Sequence, residues 1–120
     1  MTLPDAYLAP SFEPPYRVLV LAASTDGWYR ASAAERESAL EKLTALFSGL
    51  EAGGARLVGS FDDDLFVTGQ PSSLPYSIYA MYDADELAPF TALVHGLRSQ
   101  LGSMMRLEVR IGRPLFLLQN

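Results

Sequence analysis

The sequence predicts an α+β domain of the ferredoxin-like class: a four-stranded antiparallel sheet with two helices on one face. Three observations predict it. The 120 residues suit one hydrophobic core. Strand-like and helix-like apolar patterns follow one another in the order βαββαβ. Finally, two strand–helix–strand units of similar length stand in tandem, each needing a right-handed crossover, and the split βαβ sheet is their compact solution.

The first fifteen residues hold Pro4, Pro10, Pro14 and Pro15 and no Lys or Arg. A secretory signal is therefore not expected. The proline-rich arm 1–15 reads as a loose tail or as an extended strap held by Tyr7, Leu8 and Phe12. The ferredoxin-like domain is placed at 16–114, starting with the run Tyr16–Ala23, YRVLVLAA, a strand for the middle of a sheet. Ser32 and Glu35 have capping-box spacing, and Ala39, Leu40, Leu43, Leu46, Phe47 and Leu50 recur at helical period. A helix is expected from about Ala33 to Glu51, stopped by Gly53-Gly54.

A second strand follows at about Arg56–Asp62, and the stretch 63–75, with Gly69, Pro71, Ser72, Ser73 and Pro75, has loop chemistry. Tyr76–Tyr82 reads as the third strand. Asp83 or Asp85 is the expected cap of a second helix with the stripe Leu87, Phe90, Leu93, Val94, Leu97 and Leu101, ending near Gly102. The last strand spans about Met105–Arg113. Pro114 closes it, and residues 115–120 form a short tail.

Composition excludes several function classes. The chain is 49% hydrophobic, 19% charged and 11% aromatic, within the globular range. Fourteen acids against nine bases give a net charge of −5, which opposes binding to a phosphate backbone. The absence of cysteine removes disulfides, thiolate nucleophiles and Cys-ligated metal. The longest strongly apolar run, Val18–Ala23, is far short of the roughly 18 residues that span a bilayer. A cytoplasmic protein without nucleic-acid or membrane partners is expected. No P-loop, dinucleotide fingerprint or nucleophile elbow is present, so no nucleotide cofactor is expected.

Both helices on one face leave the other face of the sheet to solvent, to the arm or to a second copy. Alternation sends Leu107, Val109 and Ile111 of the last strand toward the helices and Arg106, Glu108 and Arg110 to the open face. By the same phase Ser77, Tyr79 and Met81 face outward, while Ile78 and Ala80 face inward. In the second strand Leu57 and Phe61 are expected inside, and Val58, Ser60 and Asp62 outside. Arginine there can hold a carboxylate or enolate oxygen through forked hydrogen bonds, Tyr79 can orient or donate, and Glu108 or Asp62 can take a proton. The plain alternative is a set of ion pairs without chemistry.

Other residues carry two readings each. Trp28 and Tyr29 are either a lid over an apolar ligand or staples on the first helix. Asp62, Asp63 and Asp64 lack the spacing of a calcium loop and read as a solvated strand end, so no metal site is assigned. His95, the only histidine, falls about 140° from the centre of its helix's apolar stripe at roughly 100° per residue and reads as exposed. The 63–75 loop is a structured turn or a gate.

PYRVLVLAAS at 15–24, AAERESALEKL at 33–43, the GSFDDD stretch at 59–64, LPYSIYAMYD at 74–83 and LEVRIGRPLF at 107–116 together carry a family resemblance. The stretch 15–116 resembles the small dimeric α/β-barrel proteins and, within them, the small accessory family of bacterial indole-3-acetate degradation clusters. The resemblance implies a homodimer whose sheets pack face to face, with a small-molecule pocket between each sheet and its own helices or loops. Related barrels include cofactor-free monooxygenases, polyketide cyclases, isomerases, dehydratases and haem enzymes, some of which use a histidine from the helix that holds His95. Fold does not choose among them. The expected activity is cofactor-independent proton transfer on a small aromatic or polyketide-like acid or ketone. The alternatives are a non-catalytic holder of a reactive aromatic intermediate, and a haem-binding barrel.

Overall fold

The structure is a computed structural model and describes residues 13–65, 68–69, 76–113 and 117–118. Most of the proline-rich arm, much of the 63–75 loop and most of the tail lie outside the described residues, so the expectations for them stay untested. Its elements are β1 (Tyr16–Ser24), α1 (Asp26–Arg30), α2 (Ala33–Ala52), β2 (Arg56–Asp62), β3 (Ile78–Ala84), α3 (Ala88–Leu101) and β4 (Met105–Gly112). The sheet order is β2-β3-β1-β4, with every pair antiparallel. This is the ferredoxin-like α+β arrangement. Among the described residues no helix is long and apolar enough to cross a membrane.

The core forms where the helices meet the middle of the sheet. Val18 and Val20 of β1 are buried with Ala80, Tyr82 and Ala84 of β3, Leu50 of α2, and Phe90 and Leu93 of α3. Phe90 meets the Tyr82 ring edge-on at 5.8 Å, a geometry the aromatic quadrupoles favour. A second cluster of Ala39, Leu97, Leu101 and Met105 joins the two long helices to the start of β4.

Helix ends follow local chemistry. The Ser32 hydroxyl accepts from the Glu35 amide at 3.1 Å while the Glu35 carboxylate accepts from the Ser32 amide at 3.0 Å, a complete capping box. These bonds hold the Glu35 carboxyl below its ordinary range. At the other end the Ala55 amide reaches the Leu50 carbonyl and the Gly54 amide reaches Glu51. That is a Schellman closure, with Gly54 at the positive φ of 97° it requires.

Two local expectations are corrected. The third strand runs on to Ala84, which places Asp83 inside the sheet against Arg17, so neither aspartate caps α3. The helix instead begins after Leu87 with proline in its first turn, where a missing N–H costs nothing. The segment before the first long helix is itself helical, forming α1. Gly27 permits that turn: a Cβ there would stand 1.8 Å from the Ser103 carbonyl oxygen.

The phase of β2 is the third correction. The register pairs Leu57 with Tyr82 and then Gly59 with Met81, so Val58 is the extra residue of a β-bulge. An inserted residue inverts the alternation beyond it. Ser60 opposes Ala80 and Asp62 opposes Ile78, on the helix side, whereas Phe61 opposes Tyr79 on the open side. Ser60 and Asp62 therefore leave the open face, and Phe61 joins it.

Candidate functional site

The open face is built around β1, whose Leu19, Leu21 and Ala23 oppose Arg110, Glu108 and Arg106 of β4. On the other flank Leu19 and Leu21 oppose Met81 and Tyr79 of β3. Leu21 and Ala23 are each only 4% exposed, although the helices lie on the opposite side of the sheet. Glu108 accepts from the Arg110 Nε at 2.9 Å, which brings together two of the residues picked out by alternation.

Tyr76 completes the group. It precedes β3, yet its phenol is coupled electrostatically to Glu108, Arg106 and Arg110 on β4, a coupling that reaches across β1. Burial raises the Tyr76 phenol above its ordinary range; Glu108 raises it further, and Arg106 and Arg110 pull it down. A neutral phenol, a carboxylate and two guanidinium groups thus share one electrostatic neighbourhood above an apolar floor. The chemistry open to it is binding an oxyanion and moving one proton.

Tyr79 lies on the same face with its proton committed. Its hydroxyl donates to Asp63 at 2.8 Å, with the Tyr76 carbonyl 3.1 Å from the same oxygen, and Phe61 stacks on its ring at 5.0 Å. The hydrogen bond to Asp63 is the main reason its phenol is raised. The orienting role expected of Tyr79 fits Tyr76 better. Reading Tyr76 as the first residue of a strand hid this, because its partner is set by a register two strands away. At the far end of the face, Arg17 grips Asp83 with two nitrogens, Nε at 2.6 Å and a second at 3.4 Å, and also contacts the Met81 sulfur. Ser77 is half-buried next to this face, and its amide donates to the Ala22 carbonyl.

The remaining candidates are dispersed. Trp28 packs on the Ala39–Leu97 cluster beneath the Arg36 guanidinium, which also bonds the Trp28 and Tyr29 carbonyls. It staples α1 to α2. Tyr29 is 70% exposed, and Val58 sits on the bulge of an edge strand that is exposed throughout. His95 is exposed on α3, away from Leu93 and Leu97, which face the core. Among the described residues, no three acidic or imidazole groups gather as a metal site.

Periodicity did not reveal a groove of about 360 Å³ on the helix side, between α2 and the β2–β3 edge. Leu40, Leu43, Phe47, Leu57 and Ile78 line it, with Ser60 and Tyr82. The bulge makes it, since the shifted phase sets Ser60 there. Burial raises the Tyr82 phenol, and Glu51 adds to the shift.

No protein-family model matches the sequence, and no curated protein is significantly similar to it. Solved structures are similar in fold. One, described as a candidate chlorite dismutase, superposes with a TM-score of 0.50 at 19% identity, over 82% of this chain. This chain spans 44% of that protein's length. A hypothetical protein of Arabidopsis thaliana matches with a TM-score of 0.47 at 16% identity, over 92% of this chain and 96% of its own. The first likeness establishes the ferredoxin-like fold seen in chlorite-dismutase-like proteins. Reaction and ligand rest on the site itself.

Proposed function

We propose that the chain is a homodimeric, cofactor-independent enzyme. It acts by proton transfer on a small aromatic or polyketide-like acid or ketone, with the open sheet faces of two copies enclosing the site. The observation that carries this reading is the Tyr76–Glu108–Arg110 group, with Arg106 beside it, set on a face whose centre is apolar. Such a face gains by burial against a second copy, and burying its charges unpaired is unfavourable, so a hollow that admits a polar ligand suits both. The sequence resemblance to the accessory proteins of indole-3-acetate degradation supports an aromatic substrate.

In this mechanism Arg106 and Arg110 hold the substrate's carboxylate or carbonyl oxygen and neutralise the charge that grows on it. Glu108 takes the proton from the adjacent carbon. The Tyr76 hydroxyl orients the carboxylate and returns a proton once the carbanion has rearranged. Isomerisation, dehydration, cyclisation and oxygenation share that first step. The donors present do not fit a haem: the chain's one imidazole, His95, is exposed on α3 and turned from the sheet.

The test is deuterium exchange. The purified protein is incubated in D2O with indole, quinone and hydroxy-aromatic acids, and carbon-bound deuterium is read by NMR beside the oligomeric state. Exchange that is lost on Glu108→Gln, in a dimer, is expected. A monomer in solution, or exchange indifferent to Glu108→Gln, overturns the proposal. One observation favours a second reading, a non-catalytic holder of an aromatic intermediate: the helix-side groove has an apolar wall of Leu40, Leu43, Phe47, Leu57 and Ile78 and matches a small ring system in volume. Ligand binding without exchange, weakened by Leu57→Trp, would select it.

A further inference from the structure

We infer that the cleft at the β4 edge, between the last turn of α3 and the start of β4, binds a small carboxylate with an apolar body. The cleft measures about 460 Å³, within the range of small-molecule sites. Arg98 of α3 and Arg106 of β4 both line it, with Thr25 at the end of β1 and an apolar wall of Val94, Leu97 and Leu107.

Charge is the first argument. The chain has fourteen acidic residues against nine basic ones, yet no described residue lining this cleft is a carboxylate. Arg17, Arg56 and Arg110 each have an acidic partner, at Asp83, Asp85 and Glu108. Arg98 and Arg106 have no ion-pair partner among the described residues. Arg98 in the last turn of α3 offsets the negative end of that helix, and Arg106, which also acts on the Tyr76–Glu108 group, is the second cation on the rim. Two arginines bordering one cavity that no described carboxylate lines leave net positive charge there, and in a net-negative protein that marks an anion's place.

Hydrogen-bond accounting decides what holds the anion. The Thr25 hydroxyl donates to the Ser103 carbonyl at 2.7 Å, so it has no proton for a ligand. Recognition then falls on the two arginines. The apolar wall decides the rest of the ligand: a bare phosphate would leave Val94, Leu97 and Leu107 uncovered, whereas an aryl or alkyl group on the carboxylate covers them. Arg98 has no part in the open-face mechanism, whereas Arg106 is shared with it, so Arg98→Gln is the change that separates the two sites.

The experiment is an NMR titration of the isotope-labelled full chain with phenylacetate, inorganic phosphate and chloride at constant ionic strength. Saturable shifts are expected at the Thr25, Leu97, Gly102 and Leu107 amides with phenylacetate, with roughly tenfold or greater weakening on Arg98→Gln, the size expected for a lost charge-assisted bond. Arg98 is exposed, so the variant should fold, and its spectrum reports that directly. Phenylacetate shifts confined to Tyr76, Met81 and Glu108 would overturn this inference and leave the open-face proposal intact. Absence of saturable shifts, indifference to Arg98→Gln, or equal binding of phosphate would each overturn it as well.

Discussion

The Tyr76–Glu108 coupling gives the sharpest test of the open face, because it reaches across β1. The perturbation is a double-mutant cycle of Tyr76→Phe and Glu108→Ala; alanine is chosen because glutamine would still accept the phenol's proton. A hydrogen bond to a charged group contributes about 1.5–3 kcal/mol when well buried. Here the Glu108 side chain is 35% exposed, and solvent screening brings the expected coupling down to about 1 kcal/mol. Urea denaturation measures it, with an unchanged m-value confirming that the folded state is otherwise intact. Coupling below about 0.3 kcal/mol would mean the two residues act independently, and the site would lose its centre. Titration adds a second readout. The Tyr76 phenol is raised from its ordinary 10.0, first by burial and then by Glu108. Its stabilising contribution is therefore complete below pH 10 and lost as pH climbs through the raised folded value. Glu108→Ala should lower the Tyr76 transition followed by ultraviolet absorbance, and Tyr76→Phe should soften the alkaline loss of stability. A Tyr76 transition unmoved by Glu108→Ala would refute the assignment.

Three further outcomes follow from the fold. Ser32→Ala breaks one arm of the capping box and should cost about 1 kcal/mol in urea unfolding; NMR should also show the Glu35 titration moving up toward its ordinary range. Phe90→Ala empties a site only 1% exposed and removes the edge-on contact to Tyr82, so a loss of about 3–5 kcal/mol is expected from thermal or urea unfolding. Gly27→Ala drives a methyl into the Ser103 carbonyl and should cost about 1–3 kcal/mol by parting α1 from the α3–β4 turn; the Thr25–Ser103 contact should weaken with it, visible as shifted Thr25 and Met104 amides.

How far the sequence could be read depended on where each element's phase came from. β4 alternates Leu107, Val109 and Ile111 with Arg106, Glu108 and Arg110, and the structure keeps that phase through the pairing of Val20 with Val109. β1 is apolar at nearly every position, so periodicity alone gives it no inside or outside; its phase is borrowed through the ladder from β4 and β3. Borrowing works while registers are unbroken, and β2 is where it fails. One extra residue at Val58 sends Ser60 and Asp62 to the helices and Phe61 to the open face. The local signal was Gly59, since an isolated glycine in a strand pattern marks a bulge. Tyr76 was hidden for a different reason. It lies two residues before β3, and the groups that act on it belong to β4, so only the sheet order reveals the coupling across β1. Leu21 and Ala23, buried on the face the helices do not touch, form the apolar floor beside that coupling.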